Sequence, residues 1–351
     1  MVTGEQWIAI LAGWALFLLS CSQQTNSVLP EEHNKIREAA ASALLTTNEI
    51  YVNDVGANGT DTLDDTHAFQ KAIDSMAVLG GGIVRVRTGT YYINVDTSIK
   101  MKSNVTLYMY DSTRVLKAKP TVSGRSYLLL LKNISNATIM GGKLIGEWSG
   151  HLGGTCTGTC EQGFGIAIYS SSNVKVTRSI IRNCWGDGIT IGARPADGAT
   201  TTSQIITLHK VVCDSNRRQG LTIGYVDSLI VDSCKFTRTT GTKPKDGIDI
   251  EPDHGTAQRV YIKNCEIAYN DGAGIEMNAK ASTSAIIKKI YAYNNYVHHN
   301  AYSAYVQHVQ ESEMKNNYFT QNRFYGNRIY TIDTSSCVFT PNTFAAPSVW
   351  W

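Results

Sequence analysis

A short alternation of apolar and polar positions recurs through the middle of the chain. The phrase Gly-Ile/Leu-x-Ile/Met occurs at Gly165–Ile168, Gly188–Ile191, Gly220–Ile223, Gly247–Ile250 and Gly274–Met277. Apolar residues at every second position indicate β-strands, because successive side chains of a strand point to opposite faces. Polar Gly, Asn, Asp and Ser residues separate the copies. The pattern therefore predicts a series of short strands joined by polar corners.

The spacing of the copies predicts how these strands are arranged. A repeat of roughly 20 to 35 residues is typical of solenoid proteins, in which each coil buries its apolar side chains against neighbouring coils. A coil of this kind is not stable alone, so the copies must stack. We therefore predict an all-β fold, a parallel β-helix over residues 49–351.

The same alternation places one column of side chains on the outside of the coils. If Ile248 and Ile250 face the core, Asp249 and Glu251 point outward. The equivalent positions in successive coils are Ala167, Thr190, Thr222, Asp249 and Glu276. Neighbouring strands lie about 4.8 Å apart, and two carboxylates at that spacing repel each other. This column is therefore the first candidate for function.

The N-terminal residues predict export. The apolar run from Trp7 to Leu19 is short for a membrane span, and Ser20-Cys21 follows it. This pattern predicts a signal peptide over residues 1–21 with a lipoprotein-type box and lipidation at Cys21, followed by a linker over 22–48. Glu5 and the lack of Lys or Arg before the run depart from that pattern, which leaves open an ordinary signal peptide or a different start. In each case we expect an exported protein, in the cell envelope or secreted, with membrane contact only through the lipid anchor.

Charge and length narrow the class of partner. The chain has 32 Lys and Arg against 29 Asp and Glu, a net charge of +3, and no stripe of basic residues stands out. This balance argues against a nucleic acid partner. A repeat array grows by adding coils, so one solenoid accounts for 351 residues, and we expect a monomer.

A helix precedes the first coils. Ala68, Phe69, Ala72 and Ile73 recur at helical spacing, and a run of glycines at 80–82 ends the pattern. We predict that this helix caps the open end of the solenoid.

The segment from Val55 to Asp74, followed by Gly89-Thr90-Tyr91-Tyr92, resembles the opening of the pectate-lyase-3-like β-helix superfamily. That superfamily includes polygalacturonases, mannuronan C5-epimerases and phage tailspikes. The resemblance implies a single-stranded, right-handed parallel β-helix and a carbohydrate-active protein. It does not select a reaction, because one fold supports different chemistries.

Three polar clusters are expected to converge on the outward column. They are Asn216-Arg217-Arg218-Gln219, the segment from Lys245 to His254, and the pair Asp271 and Glu276. Stacking in register predicts that Arg217, Asp249 and Glu276 share one surface cleft. Structural interpretations remain open: Asp187 and Asp246 are also typical turn formers, and the aligned Asn216 and Asn270 are typical of asparagines that hydrogen-bond to each other at corners.

A second resemblance points to a reaction. The segments Trp185–Ile189, Asn216–Gly220 and Gly247–Pro252 look like those of bacterial alginate-lyase-type β-helix enzymes, which cleave uronate polymers by β-elimination. Elimination needs a group that neutralises the substrate carboxylate, a base and an acid. The candidate catalytic residues are Arg217, Arg218, Lys245, Asp249, Glu251 and His254. The candidate substrate-binding residues are Trp148, Asp187, Gln219, Asp246 and Glu276.

We therefore predict a polysaccharide lyase acting on an acidic polysaccharide such as alginate or pectate. The alternatives are a polygalacturonase-type hydrolase using Asp249 and Glu251, an enzyme like the mannuronan C5-epimerases, and a non-catalytic carbohydrate-binding protein. The polygalacturonase motifs Gly-His-Gly and Arg-Ile-Lys are not found. The cofactor stays open, and a calcium-assisted reaction would use oxygen ligands from Asp249, Glu251, Asp253 and Glu276.

Overall fold

The computed structural model describes residues 48–153, 161–253, 255–279, 284–324 and 327–345. The predicted signal peptide, the predicted linker up to residue 47, Cys21 and His254 lie outside these ranges. Within the described ranges, no helix combines the length and apolar character needed to cross a membrane.

Short strands form nearly all of the regular structure. The first ten are β1 (Glu49–Tyr51), β2 (Gly82–Arg85), β3 (Gly89–Ile93), β4 (Ile99–Lys100), β5 (Val105–Met109), β6 (Arg114–Ala118), β7 (Arg125–Lys132), β8 (Ser135–Gly141), β9 (Lys143–Ile145) and β10 (Gln162–Tyr169). The next ten are β11 (Ser172–Thr177), β12 (Ile180–Arg182), β13 (Ile189–Gly192), β14 (Ser203–His209), β15 (Val212–Asp214), β16 (Leu221–Ile223), β17 (Val226–Asp232), β18 (Lys235–Thr237), β19 (Ile248–Ile250) and β20 (Thr256–Lys263). The last are β21 (Glu266–Ala268), β22 (Ala273–Asn278), β23 (Ile286–Tyr293), β24 (Tyr296–His298), β25 (Tyr302–Gln307), β26 (Val309–Gln310), β27 (Glu313–Lys315), β28 (Tyr318–Thr320), β29 (Ile329–Ile332) and β30 (Thr343–Phe344).

Each turn of the chain adds a strand to each of three parallel sheets. The first sheet holds β1, β2, β5, β8, β11, β14, β17, β20, β23 and β26, with β27 also paired to β23. The second holds β3, β6, β9, β12, β15, β18, β21, β24, β28 and β30. The third holds β4, β7, β10, β13, β16, β19, β22, β25 and β29. The predicted all-β parallel β-helix is confirmed.

The third sheet contains the predicted column in the predicted register. Thr190 pairs with Thr222, Thr222 with Asp249, and Asp249 with Glu276. Beyond Glu276 the same position is occupied by Tyr305 and then by Tyr330. Ile248 and Ile250, which flank Asp249, are fully buried in the core.

One α-helix caps the N-terminal end, as the apolar spacing predicts. Helix α1 (Thr66–Val78) buries Phe69, Ile73 and Met76 and packs against β1, β2, β4 and β5. The ring of Phe69 meets the buried ring of Tyr91 edge-on, with the two centroids 5.3 Å apart. Three short 3-10 turns complete the helical structure of the described residues, at Val52–Val55, Trp148–Gly150 and Pro195–Asp197.

Close packing between neighbouring coils explains why a glycine opens each repeat. A β-carbon on Gly247 would lie 2.5 Å from the Cγ2 of Ile267 and 2.8 Å from the carbonyl oxygen of Gly274 in the next coil. The equivalent atom on Gly220 would lie 2.5 Å from the carbonyl oxygen of Gly247. The coils therefore approach each other too closely at this corner for any side chain.

Replacing Gly247 by alanine is expected to destabilise the protein by about 1–3 kcal/mol, because an extra carbon in a packed interior forces its neighbours apart. The measurement is the free energy of unfolding in denaturant. Gly150→Ala is the matched control, since its β-carbon would meet only the Cγ of Pro120 at 3.7 Å. Equal unfolding free energies for the two variants would contradict this explanation of the repeated glycine.

Candidate active site

The candidate site lies on the outer face of the third sheet, where the residues just before β16, β19 and β22 fold over the column. Although Asp249 points away from the core, it is only 1% exposed. Asp187 and Asp246 are also 1% exposed, and Gln219 is fully buried. The column is therefore a layer of covered polar side chains, and not the open acidic surface that strand alternation alone predicts.

Arg218 neutralises one end of this layer. Its Nη1 donates to both carboxylate oxygens of Asp187, at 3.2 and 3.3 Å, and its Nε lies 3.3 Å from Glu161 Oε2. The Arg218 side chain is 17% exposed. Burial raises the pKa of Asp187, and the nearby guanidinium of Arg218 opposes that rise.

Gln219 and Thr222 join Asp187 to Asp249. Thr222 Oγ1 lies 2.7 Å from Asp187 Oδ2 and also contacts the side-chain oxygen of Gln219. The side-chain nitrogen of Gln219 contacts Asp249 Oδ2. Two buried carboxyl groups are thus linked through a hydroxyl group and an amide.

Asp246, Asp249 and Glu276 form a row of three interacting acids. Burial raises the pKa of Asp249 well above its usual value, and the charges of Glu251 and Glu276 raise it further. Burial likewise raises the pKa of Asp246, as do the charges of Asp249 and Glu276. The interaction with Glu276 favours the protonated form of Asp246, because two neighbouring carboxylates repel each other. The surroundings of the row therefore favour the protonated forms of Asp246 and Asp249.

Two oxygens in this row lack a hydrogen-bond partner among the described residues. They are Asp246 Oδ2 and Asp249 Oδ1, both buried. The other Asp246 oxygen accepts from the backbone nitrogen of Ala273 at 2.5 Å. Buried polar atoms normally have partners, and an ordered water, a bound group or a catalytic role would each account for unpaired ones.

Two depressions flank the row. The first, which we call the lysine–tyrosine depression, has a volume of about 620 Å³, and its lining includes Lys243, Lys245, Asp246, Glu276, Tyr302, Tyr305 and Tyr330. The second, which we call the arginine depression, has a volume of about 370 Å³, and its lining includes Asp187, Arg194, Arg218, Thr222, Tyr225, Glu251 and Asp253. Tyr305 and Tyr330 stack with centroids 5.4 Å apart, which continues the column as an aromatic surface.

Arg217 does not join Asp249 and Glu276, contrary to the predicted shared cleft. Its guanidinium carbon lies 3.6 Å from the centre of the Trp185 ring, and its Nη1 donates to the Trp185 carbonyl at 2.8 Å. His151 stacks on the same indole at 3.7 Å and pairs with Glu147 at 2.8 Å. Burial lowers the pKa of Arg217.

Trp148 lies on the Arg217 side as well, because a β-carbon added to Gly241 would touch both side chains. Trp148 is absent from the lining of both depressions described above. Its role in substrate binding stays a prediction.

The remaining predicted residues divide between the two depressions. Lys245 lines the first, with its Nζ 3.9 Å from Asp271, whereas Glu251 and Asp253 line the second. Among the residues that the structure describes, no three His, Cys, Asp or Glu side chains are grouped as metal ligands. Calcium binding by Asp249, Glu251, Asp253 and Glu276 stays a prediction.

Several residues of the site are absent from the residues predicted from the sequence. Thr222 occupies the column without an assigned role, and Glu161, Lys243, Tyr305 and Tyr330 are not among the predicted site residues. The register of the repeat could have identified Tyr305, because it lies one coil beyond Glu276. Nothing in the repeat pattern marks Glu161, which precedes β10 and reaches Arg218 through the fold.

The fold and this column of polar side chains define a right-handed parallel β-helix protein with a candidate site on one sheet. The chain belongs to the family described as the right handed beta helix region, whose model matches residues 82–251 and 242–347. The resemblance found in the sequence is confirmed at the level of this fold.

Two curated relatives each match part of this chain. The SPbeta prophage-derived protein YorA of Bacillus subtilis (strain 168) is 26% identical over 251 residues, which cover 66% of this chain and 42% of YorA. The iota-carrageenase of Alteromonas macleodii is 30% identical over 119 residues, which cover 34% of this chain and 23% of that enzyme. This chain thus spans less than half the length of the curated relatives it matches.

Solved structures share the fold at low sequence identity. The A-module of the mannuronan C-5 epimerase AlgE4 of Azotobacter vinelandii has a TM-score of 0.57 at 15% identity, covering 84% of this chain and 89% of that chain. The tailspike gp49 of Acinetobacter baumannii bacteriophage Fri1, a capsular polysaccharide depolymerase, has a TM-score of 0.53 at 16% identity, covering 85% and 63%. The β-helix fold of this chain is therefore one that polysaccharide-active proteins share.

Proposed function

We propose that this protein hydrolyses glycosidic bonds in an acidic polysaccharide, with Asp249 as general acid and the Asp246–Glu276 pair as the base that activates water. The observation that carries the proposal is the row of three interacting carboxyl groups beside a cavity of about 620 Å³. Hydrolysis of a glycoside needs one protonated and one ionised carboxyl group at the same time. Burial and mutual repulsion supply both states within one row.

The lining of the lysine–tyrosine depression supports an anionic substrate. Lys243 and Lys245 place cationic side chains at a cavity whose lining also holds the acids Asp246, Asp271 and Glu276. Tyr305 and Tyr330 present stacked rings in line with the acids, and aromatic faces pack well against the apolar faces of sugar rings. A carbohydrate chain lying along the helix axis would then pass over Glu276. Asp249 pairs with Glu276 on the neighbouring strand, beneath the covering residues and outside the lining of both depressions. The relatives named after polysaccharides support this class of substrate, and export, predicted from the N-terminal run, remains part of the proposal.

β-Elimination, the reaction predicted from the sequence, is the second candidate. The presence of Lys243 and Lys245 at the depression favours it, because elimination needs a cation beside the substrate carboxylate. Arg217 and Arg218 give elimination less support, because other side chains already hold them. Arg218 is held by Asp187 and Glu161, and Arg217 lies against Trp185.

The purified full chain, incubated with alginate, pectate and carrageenan, is expected to release new reducing ends without the absorbance of unsaturated uronates. A neutral glucan serves as the control substrate and is expected to remain intact. New reducing ends together with that absorbance would show that the protein cuts by elimination and not by hydrolysis. If none of the acidic polymers is cut, both proposals fail.

A further inference from the structure

Four side chains form one continuous line of hydrogen bonds beneath the candidate site. Asp187 Oδ2 lies 2.7 Å from Thr222 Oγ1, Thr222 contacts the Gln219 amide, and the amide contacts Asp249. Asp187 and Asp249 are 1% exposed, and Gln219 is fully buried. The donors and acceptors of this line must therefore largely satisfy one another.

The protons in this line can be counted. A threonine hydroxyl carries one hydrogen, an ionised carboxylate carries none, and a primary amide donates only through nitrogen. If Thr222 donates to Asp187, Gln219 must turn its nitrogen toward Thr222 and its oxygen toward Asp249, so Asp249 must carry a proton. If Thr222 donates to the Gln219 oxygen, the contact between Thr222 and Asp187 needs a proton on Asp187. Both arrangements contain one acid proton.

We propose that Thr222 and Gln219 connect Asp187 and Asp249 into a single hydrogen-bonded unit that holds one proton, so that only one of the two carboxyl groups is ionised at a time. Thr222 and Gln219 are then positioning residues. They act on the protonation state of Asp249 and need not touch the substrate.

The charges around the line decide where the proton resides. Arg218 faces both oxygens of Asp187, and this favours ionised Asp187. The charge of Glu161 also acts on Asp187, and Arg194, Glu251 and Asp253 line the same depression. The groups facing Asp249 are Arg218, Asp246, Glu251 and Glu276, so acids outnumber the one cation.

The proton therefore resides on Asp249. In this arrangement the Gln219 amide is turned from the orientation described above, in which its nitrogen faces Asp249, so that its oxygen faces that acid. Because hydrogen-bond partners alone distinguish the two ends of an amide, rotation by about 180° accommodates either arrangement.

The catalytic consequence rests on the proposed function. Neutral Asp249 gives its proton to the leaving oxygen as the glycosidic carbon–oxygen bond breaks, and an ionised Asp249 remains. A water molecule adds to the sugar carbon and loses its proton to the Asp246–Glu276 pair. The unit then regains one proton from solvent, since two ionised carboxylates leave one contact in the line without a hydrogen.

The test measures protonation directly, without substrate. Carbon-13 NMR of the full chain labelled at aspartate carboxyl carbons follows the titration of Asp249, and its signal is assigned by its loss in Asp249→Asn. Asp187→Asn supplies an amide hydrogen to Thr222, which fixes the Gln219 nitrogen toward Asp249. We expect the Asp249 midpoint to fall by about one to two pH units, the equivalent of one hydrogen bond to a charged group.

A second substitution separates the hydrogen-bonded line from plain electrostatics. Asp187→Asn also removes a negative charge, and that alone lowers the midpoint of Asp249. In Asp187→Asn/Thr222→Val the charge change is the same but the line is broken, so the midpoint is expected to lie above that of Asp187→Asn and to keep only the part of the fall that the charge change causes. Asp187→Asn/Thr222→Ser keeps the hydroxyl and is expected to behave like Asp187→Asn.

Equal midpoints for Asp249 in Asp187→Asn and in the double variant with valine would overturn the proposal. So would an unchanged midpoint in Asp187→Asn. Thr207→Val, a half-buried threonine on the first sheet, is the control for the effect of the substitution on folding. Because no substrate is present, failure here leaves hydrolysis untouched, and absence of hydrolysis leaves this result standing.

Discussion

Replacing Arg218 by methionine is expected to lower the free energy of unfolding by about 3–5 kcal/mol at neutral pH. Methionine keeps the length of the side chain but leaves Asp187, which is 1% exposed, without its cation. Removing one partner of a buried ion pair costs this much because the other charge stays buried and uncompensated. The measurement is unfolding in denaturant by circular dichroism.

The loss of unfolding free energy in Arg218→Met is expected to depend on pH. Burial already raises the pKa of Asp187, and loss of Arg218 removes the charge that opposes the rise. A carboxyl group with a raised pKa in the folded state contributes stability at low pH and loses it as the pH rises through that pKa. The difference between Arg218→Met and the wild type is therefore expected to be small in acid and to grow toward neutral pH.

Arg259→Met is the matched control for Arg218→Met. Arg259 pairs with Asp227 at 2.5 Å, but its side chain is 52% exposed. Exposed ion pairs contribute about 1 kcal/mol or less. Similar losses of stability in the two variants, or a loss for Arg218→Met that does not vary with pH, would show that Arg218 does not serve as the buried counter-ion of Asp187.

Strand alternation predicted the backbone of this site well. The period of two and the repeated glycine placed Thr222, Asp249 and Glu276 in one column, and the structure pairs them in that register. This succeeds because a slip of one residue would turn every buried isoleucine of the third sheet outward.

Strand alternation could not predict the direction of side chains that lie outside the strands. Arg217 and Arg218 precede β16 in a loop, where no period of two applies. Arg217 stacks on Trp185, while Arg218 reaches Asp187, and these contacts come from earlier coils. The burial of Asp249 has the same origin, because loop residues such as Gln219 cover it.

The hydrogen-bond partners of the corner asparagines also could not be predicted from their alignment in the sequence. Asn216 and Asn270 align in the sequence but do not bond to each other, because Thr239 occupies the coil between them. Asn216 accepts from the backbone of Cys184 at 3.1 Å, and Asn270 from that of Thr239 at 3.1 Å. The two residues thus have the same role, each bonding to the preceding coil, and a side-chain ladder begins only where Asn270 donates to Asn300 at 2.8 Å.

The substitution with the largest expected effect on activity is Asp249→Asn. Asparagine has the shape of the protonated acid and can still donate to the Gln219 oxygen, so we expect the fold to be retained. It cannot give up a proton to the leaving oxygen of a glycoside. General acid–base catalysis contributes about 10²–10⁴-fold to the rate, and a loss of that size is expected in the release of reducing ends from whichever polymer the wild type cuts.

Asp54→Asn is the matched control for this loss. Asp54 lies in the 3-10 turn near the N-terminal end, pairs with Arg87 at 3.1 Å, and its side chain is 52% exposed. The same change from acid to amide there is expected to leave the rate unchanged. An Asp249→Asn variant that keeps more than about a tenth of the wild-type rate would place the general acid elsewhere, because so small a loss is below the range for removing an acid catalyst. Asp246 would be the next acid to replace, since it shares the row and also has a raised pKa.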